Sequence, residues 1–318
     1  MATVHWDETA RELVEQGPLA AYWSELGDAA GSVMVGVNRI EILPGKRSGP
    51  VHTEGEEEEI FWVLGGSGLS WQEGETYEVG PGDCLVHVAS EHAHTLLAGE
   101  EGLDVLAFGM RAYAEMGYLP RAGVMRHGRA TIDLSPDSRH PWEREAAAGE
   151  LELPPPSPRP DRIVNVADVS PDERHGSTVA SEQRELGRAA GSQRSGLNHV
   201  TVPPGMLNVP PHCHSAEEEL FVVLEGTGRL ELTPSPRQAA YGVEKSEHEV
   251  RRGAVVSRPA GTGIAHAFRA GLDGLKLLAY GTRDPNDICY YPRSGKISWR
   301  GVGLIGRIEH VDYWDGED

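Results

Sequence analysis

His212 and His214 are separated by one residue. On an extended strand, side chains two apart point to the same face. Glu219 follows five positions after His214, beyond a short turn, and opens an apolar run. Further on, a strand from Gly253, a Gly/Pro turn through Pro259 and Gly261, and a second strand deliver His266. Three imidazoles and one carboxylate that converge make an N₃O donor set, suited to divalent Mn, Fe, Ni, Cu or Zn. A six-coordinate ion would keep two positions for water or substrate. The ligands must be neutral His and ionised Glu, so binding should weaken below about pH 6. Cys213 alternates away from the histidines and reads as structural. Arg258 and Phe268 are open between lining the pocket and packing or surface roles.

The same pattern occurs earlier in altered form. Residues 26–32 recur at 186–192, an offset of 160, and that offset carries 52–68 onto 212–228. Residues 103–109 then match 275–281 at an offset of 172, so the 12 extra residues lie between Gly228 and Leu275. The polar segment 233–249 reads as an enlarged hairpin loop. A period this long is a duplicated domain. In the first copy the aligned residues are His52, Glu54 and Glu59, so the second histidine has become a glutamate. His92 and His94 both offer a third imidazole. His94 stands nine before Leu103, as His266 stands nine before Leu275, which selects His94. The set His52, Glu54, Glu59 and His94 could hold a harder cation (Mn, Fe or Zn rather than Cu) or none. Without metal, Glu54 and Glu59 would repel, and one should be protonated or paired with His52 or His94. The rest of the acidic run 54–59 reads as a solvated turn.

The surrounding elements look β. The runs 59–64 and 219–224 are short, apolar and closed by glycines; 229–232 alternates polar and apolar. With 39 Gly and 22 Pro in 318 residues, many short strands are expected, in an all-β fold of barrels or sandwiches with short helical segments. The first 25 residues read as helical, most clearly 10–15. The proline-rich stretch 151–160 cannot be a central strand or helix and reads as a stiff, extended linker. The division expected is an N-terminal domain at 1–128, a linker region at 129–160 and a C-terminal domain at 161–318. The aromatic tail 308–315 is expected to pack on a barrel.

The charge balance of 29 basic to 49 acidic residues, net −20, disfavours phosphate backbones and anionic membranes, so neither nucleic acid nor membrane is an expected partner. No apolar run reaches a bilayer's span. The first residues show no signal-peptide pattern. Three unpatterned cysteines form neither a disulfide framework nor a zinc pair. The expected location is the cytoplasm.

The spacing resembles the cupin superfamily. His212, His214, Glu219 and Gly226 fit that family's first motif. Gly253, Pro259, Gly261 and His266 fit the second, with two extra residues before the histidine. The first copy lacks the Pro-x-Gly, having 88–90 (VAS) instead. The resemblance covers most of the chain. It implies a bicupin of two antiparallel β-barrels or jelly rolls packed about a pseudo-two-fold, with a homodimer possible. It carries ligand roles onto His212, His214, Glu219 and His266. The implied function is a divalent-metal-binding protein whose partner is a small polar molecule, either an enzyme of oxygenase, decarboxylase or isomerase type, or a binding or metal-storage protein that holds a sugar or organic acid. No catalytic acid or base is assigned by the sequence.

Overall fold

Leu13 and Val14 precede a Gly17-Pro18 corner, and Gly17 takes a left-handed φ of 58° that lets the chain reverse at once. The result is a hairpin, Glu12–Gln16 against Leu19–Ser24, in place of the expected helix over the first 25 residues. The run LAAYWS is buried through tertiary packing, which overrides the weak helical periodicity of 10–15. The computed structural model describes residues 3–128 and 130–317.

Each copy forms an eight-stranded antiparallel sheet with the same strand order. In the first copy, Glu59–Gln72 and His94–Met110 form the long central pair, flanked by Val35–Ile42 on one side and Asp83–His87 on the other. Glu219–Pro234 and Ile264–Thr282 occupy that place in the second copy. Both central pairs bend at register shifts, Val63/Gly65 and Gly66/Gly68 in one, Val223/Glu225 and Gly226/Gly228 in the other. Gly226 has φ 80°, and a methyl there would overlap the Gly274 carbonyl. Only glycine permits the bend that folds one strand across both faces of a barrel. The enlarged loop after Pro234 holds a helix, Pro236–Ala240, capped by the Ser235 hydroxyl.

The two copies exchange their first strands. Thr3–His5 adds to the edge Ala254–Arg258 of the second copy. Ile163–Asn165 adds to Asp83–His87 of the first. Both edge strands are therefore buried on both faces. Each barrel has its own core, one around Phe61, Leu96 and Val105, the other around Phe221, Phe268 and Leu277. A third core between the barrels gathers Trp62, Leu106 and Phe108 from one copy and Leu220, Leu278 and Tyr280 from the other.

The interval 129–160 contains a strand, Ala130–Asp133, and a helix, Pro141–Ala147. The helix docks through Glu145, fully buried and 2.6 Å from Arg47. The proline-rich stretch then lies along the first barrel. Ser157 donates its N–H to Thr76, and Arg159 grips Asp83 with two bonds of 2.7 Å. The tail does not pack on a barrel. Tyr313 and Trp314 are 84% and 68% exposed and meet chiefly each other. Few apolar residues accompany them, so docking would not offset the loss of chain entropy. Among the described residues no helix is long and apolar enough to cross a membrane.

His199 stacks on Trp62 between the copies, with ring centroids 5.9 Å apart. Burial, with Arg184 and Lys276 nearby, lowers its pKa to about 4. The fold thus favours the neutral ring, while the unfolded chain takes up a proton below about pH 6.5. Stability should fall as pH drops from 6.5 towards 4 and then level off. In His199→Gln, urea-melt free energies should lose up to about one proton's worth of that slope, ~1.4 kcal/mol per pH unit; an unchanged slope counts against the assignment.

Candidate metal centre

The C-terminal site is built on three adjoining strands. Pairing sets Glu219 opposite both Arg258 and Gly281, and His212 bridges to His266. The donor atoms of His212, Glu219 and His266 lie within 4.8 Å of one another. His266 Nε2 is 2.9 Å and His214 Nε2 is 3.3 Å from Glu219 Oε2. All three imidazoles therefore gather on one carboxylate. His214 Nε2, His266 Nε2 and Glu219 Oε2 are buried, yet none makes a well-aligned hydrogen bond. Buried polar atoms are rarely left so. Three that converge have the chemistry of ligands awaiting a cation, and the N₃O set fits a divalent one.

The ring orientations suit that role. His212 Nδ1 lies 3.0 Å from the Pro210 carbonyl oxygen, which can only accept, so Nδ1 carries the proton and Nε2 is left bare. His214 Nδ1 lies 2.7 Å from Asp287 Oδ2. Burial would raise the Glu219 pKa, but His214 and the contacts from His214 and His266 hold it well below the ordinary carboxylate range. Burial, reinforced by His266, lowers His212 to about 3. Against burial, Glu219 and then Asp287 push His214 far above the ordinary imidazole value. Without a cation, a proton on His214 balances the two acids. Arg258 is buried, and its Nη2 donates to the Ile264 carbonyl at 2.7 Å.

The N-terminal site repeats the frame with different chemistry. His52, Glu59 and His94 bring their donor atoms within 4.8 Å. Glu59 Oε2 is 2.9 Å from His94 Nε2 and 3.6 Å from His52 Nε2. Glu54 Oε1 is also 3.6 Å from His52 Nε2. The expected repulsion is resolved as one paired and one protonated acid. Glu59 lies well below the carboxylate range, since its bonds to His52 and His94 outweigh burial. Glu54 is pushed up to about 8 by burial, with Glu59 and Glu115 adding to it. His52 rises to about 9, because Glu59 and Glu54 outweigh burial. The His92 side chain is exposed and points to no ligand role, though its carbonyl lies 3.2 Å from Nδ1 of the buried His94. The site opens into a cavity of about 970 Å³ whose walls include Trp23, Phe61, Leu119 and Trp142, with Arg194 and Thr282 supplied by the second copy.

The cupin domain family matches residues 38–108 and again residues 198–278. The chain is a two-domain cupin. Solved structures similar to this bicupin include the Lactobacillus farciminis oxalate decarboxylase formate complex, at 14% identity, covering 90% of this chain and 87% of that one, with a TM-score of 0.60. Bacillus subtilis oxalate decarboxylase at pH 4.6 is similar at 16% identity, covering 87% of this chain and 75% of that one, with a TM-score of 0.57. A B. subtilis oxalate decarboxylase structure whose study concerns its Mn(II) centres matches at 15% identity, covering 87% and 76%, with a TM-score of 0.59. No curated protein matches the chain.

Several residues of the bicupin's sites were not legible as site residues. Asp287 and Cys289 approach His214, with Cys289 Sγ 3.4 Å from His214 Nδ1. His87 stacks flat on His94 at 3.6 Å, in the register position that Arg258 holds in the second copy. Glu115 accepts the N–H groups of Gly55, Glu56 and Glu57 at 2.7–2.8 Å. The acidic run 56–59 is correspondingly not a solvated turn. Glu58 is fully buried, Glu57 accepts the Ala112 N–H at 2.6 Å, and Glu59 enters the site.

Proposed function

We propose that His212, His214, Glu219 and His266 hold one divalent cation, and that the protein is a metal-dependent enzyme acting on a small carboxylate. The convergence of buried His214 Nε2 and His266 Nε2 on Glu219 Oε2, at 3.3 and 2.9 Å but without a well-aligned hydrogen bond, carries this reading. The cation supplies Lewis acidity to an oxygen-bearing ligand at its remaining positions. The protein supplies the rest. His212 and His214 are oriented by Pro210 and Asp287. In the N-terminal barrel, the Glu54 carboxyl holds a proton near neutral pH beside His52 and above an open cavity. The oxalate decarboxylase names of the structural neighbours point to the same substrate class.

Metal analysis of the purified protein, followed by turnover of oxalate and other small dicarboxylates by the Mn(II)-loaded form, tests the proposal. Bound metal with turnover supports it. Bound metal with ligand affinity but no turnover favours a binding role, and protein that takes up no divalent ion refutes it. Because His214 is held protonated without metal, binding must displace that proton. Titration calorimetry at pH 7 in buffers of different ionisation heat should therefore show about one proton released per ion, and metal affinity should rise with pH.

A further inference from the structure

We infer that Asp287 is a positioning residue for the metal centre, and that the first copy retains the matching group, Glu115, without the histidine it would orient. The inference rests on the metal reading above. Asp287 is buried, at 1% exposure. Its Oδ2 lies 2.7 Å from His214 Nδ1. Its Oδ1 accepts the N–H groups of Ser215, Ala216 and Glu217 at 3.1, 3.0 and 3.2 Å. The loop between His214 and Glu219 is thus folded around one carboxylate, whose second oxygen fixes the His214 ring. An acceptor at Nδ1 requires the proton there, so the proton that an incoming ion displaces is the one on Nε2, which faces Glu219.

Glu115 stands 172 positions before Asp287, the offset of the C-terminal half of the repeat. It holds the three corresponding loop N–H groups, but with both oxygens: Oε1 accepts from Gly55 and Oε2 from Glu56 and Glu57. Where Asp287 meets His214, Glu115 lies beside Glu54 and helps to raise its pKa. The orienting acid is common to both barrels, and the residue it faces differs.

Two variants test this with cobalt(II) as the probe, read by calorimetry and by the visible absorption of the bound ion. Asp287→Asn keeps an oxygen for the loop but turns an NH₂ towards His214, which forces the proton onto Nε2. Cobalt affinity should fall about 10–100-fold and the spectrum should change, while Asp287→Glu, which copies Glu115, restores both. In the first copy, Glu54→His should create a further cobalt site per chain, and adding Glu115→Gln should weaken that site tenfold or more. Wild-type affinity and spectrum in Asp287→Asn, or a Glu54→His site indifferent to Glu115→Gln, overturn the inference while leaving the metal reading intact. A wild-type protein that binds no cobalt overturns both. If Asp287→Asn fails to fold, the Glu54→His pair decides alone.

Discussion

Glu219→Gln should bind Mn(II) or Zn(II) at least about a hundredfold more weakly than the intact protein, beyond the ~10–100-fold typical of losing an outer partner. Glu219 is the one anion within the site, and all three imidazoles gather on it. Its amide replacement offers one weak acceptor and a donor that opposes both the cation and any protonated imidazole. The effect should also appear in melting curves. An ion at a hundred times its Kd stabilises a protein by about 2.7 kcal/mol. Added metal should raise the melting temperature of the intact protein and leave that of Glu219→Gln unmoved. Equal shifts in both would remove Glu219 from the ligand set. Glu59→Gln provides the comparison in the first copy, where its effect on metal shows whether His52, Glu54, Glu59 and His94 hold an ion.

Glu218→Ala should destabilise the fold by about 3 kcal/mol or more in urea denaturation, without touching any ligand. Its carboxylate is fully buried and reaches into the other copy, accepting the N–H groups of Val33, at 3.0 Å, and Met34, together with the Ser257 hydroxyl at 2.9 Å. Glu58 makes the reciprocal clasp, accepting from the N–H groups of Gln193, Arg194 and Ser195 at 2.5, 3.0 and 2.8 Å, and from the Ser195 hydroxyl at 2.9 Å. Truncation strands several buried donors at once, which costs more than the bonds are worth in exchange with water. Glu225→Ala, at an exposed pair with Lys276, should cost no more than about 1 kcal/mol. Similar losses in the two variants would mean that the clasp contributes nothing to the joining of the barrels.

The clasp explains why an acidic run on a strand is hard to interpret. In 217–219 three glutamates stand side by side. Alternation along the chain sends Glu218 to the other barrel and Glu219 into the site. Glu217 accepts the Asp284 N–H at 2.9 Å and pairs with Arg300. In sequence these are one patch of like charge with a solvated appearance. Their separate tasks depend on which surface each one meets, and the one that Glu218 meets belongs to the other copy.

The duplication, the β texture and the grouping of His212, Glu219 and His266 were legible in the chain, because they follow from a period of two along strands and from spacing that repeats at fixed offsets, whereas the glycines expected to close the runs 59–64 and 219–224 instead bend continuous strands, Glu59–Gln72 and Glu219–Pro234. His94 was separable from His92 by counting alone. Asp287 and Glu115 were aligned by the same offset, but nothing local marks an acid after a turn as the partner of a histidine more than seventy residues away. The helix expected near residue 12 failed for the complementary reason. Its apolar pattern was short, and a neighbouring strand outcompeted it. The exchange of first strands, the reciprocal glutamates and the wall that Arg194 and Thr282 lend to the other barrel's cavity were decided by tertiary structure alone, since each requires two copies to be brought face to face before the contact exists.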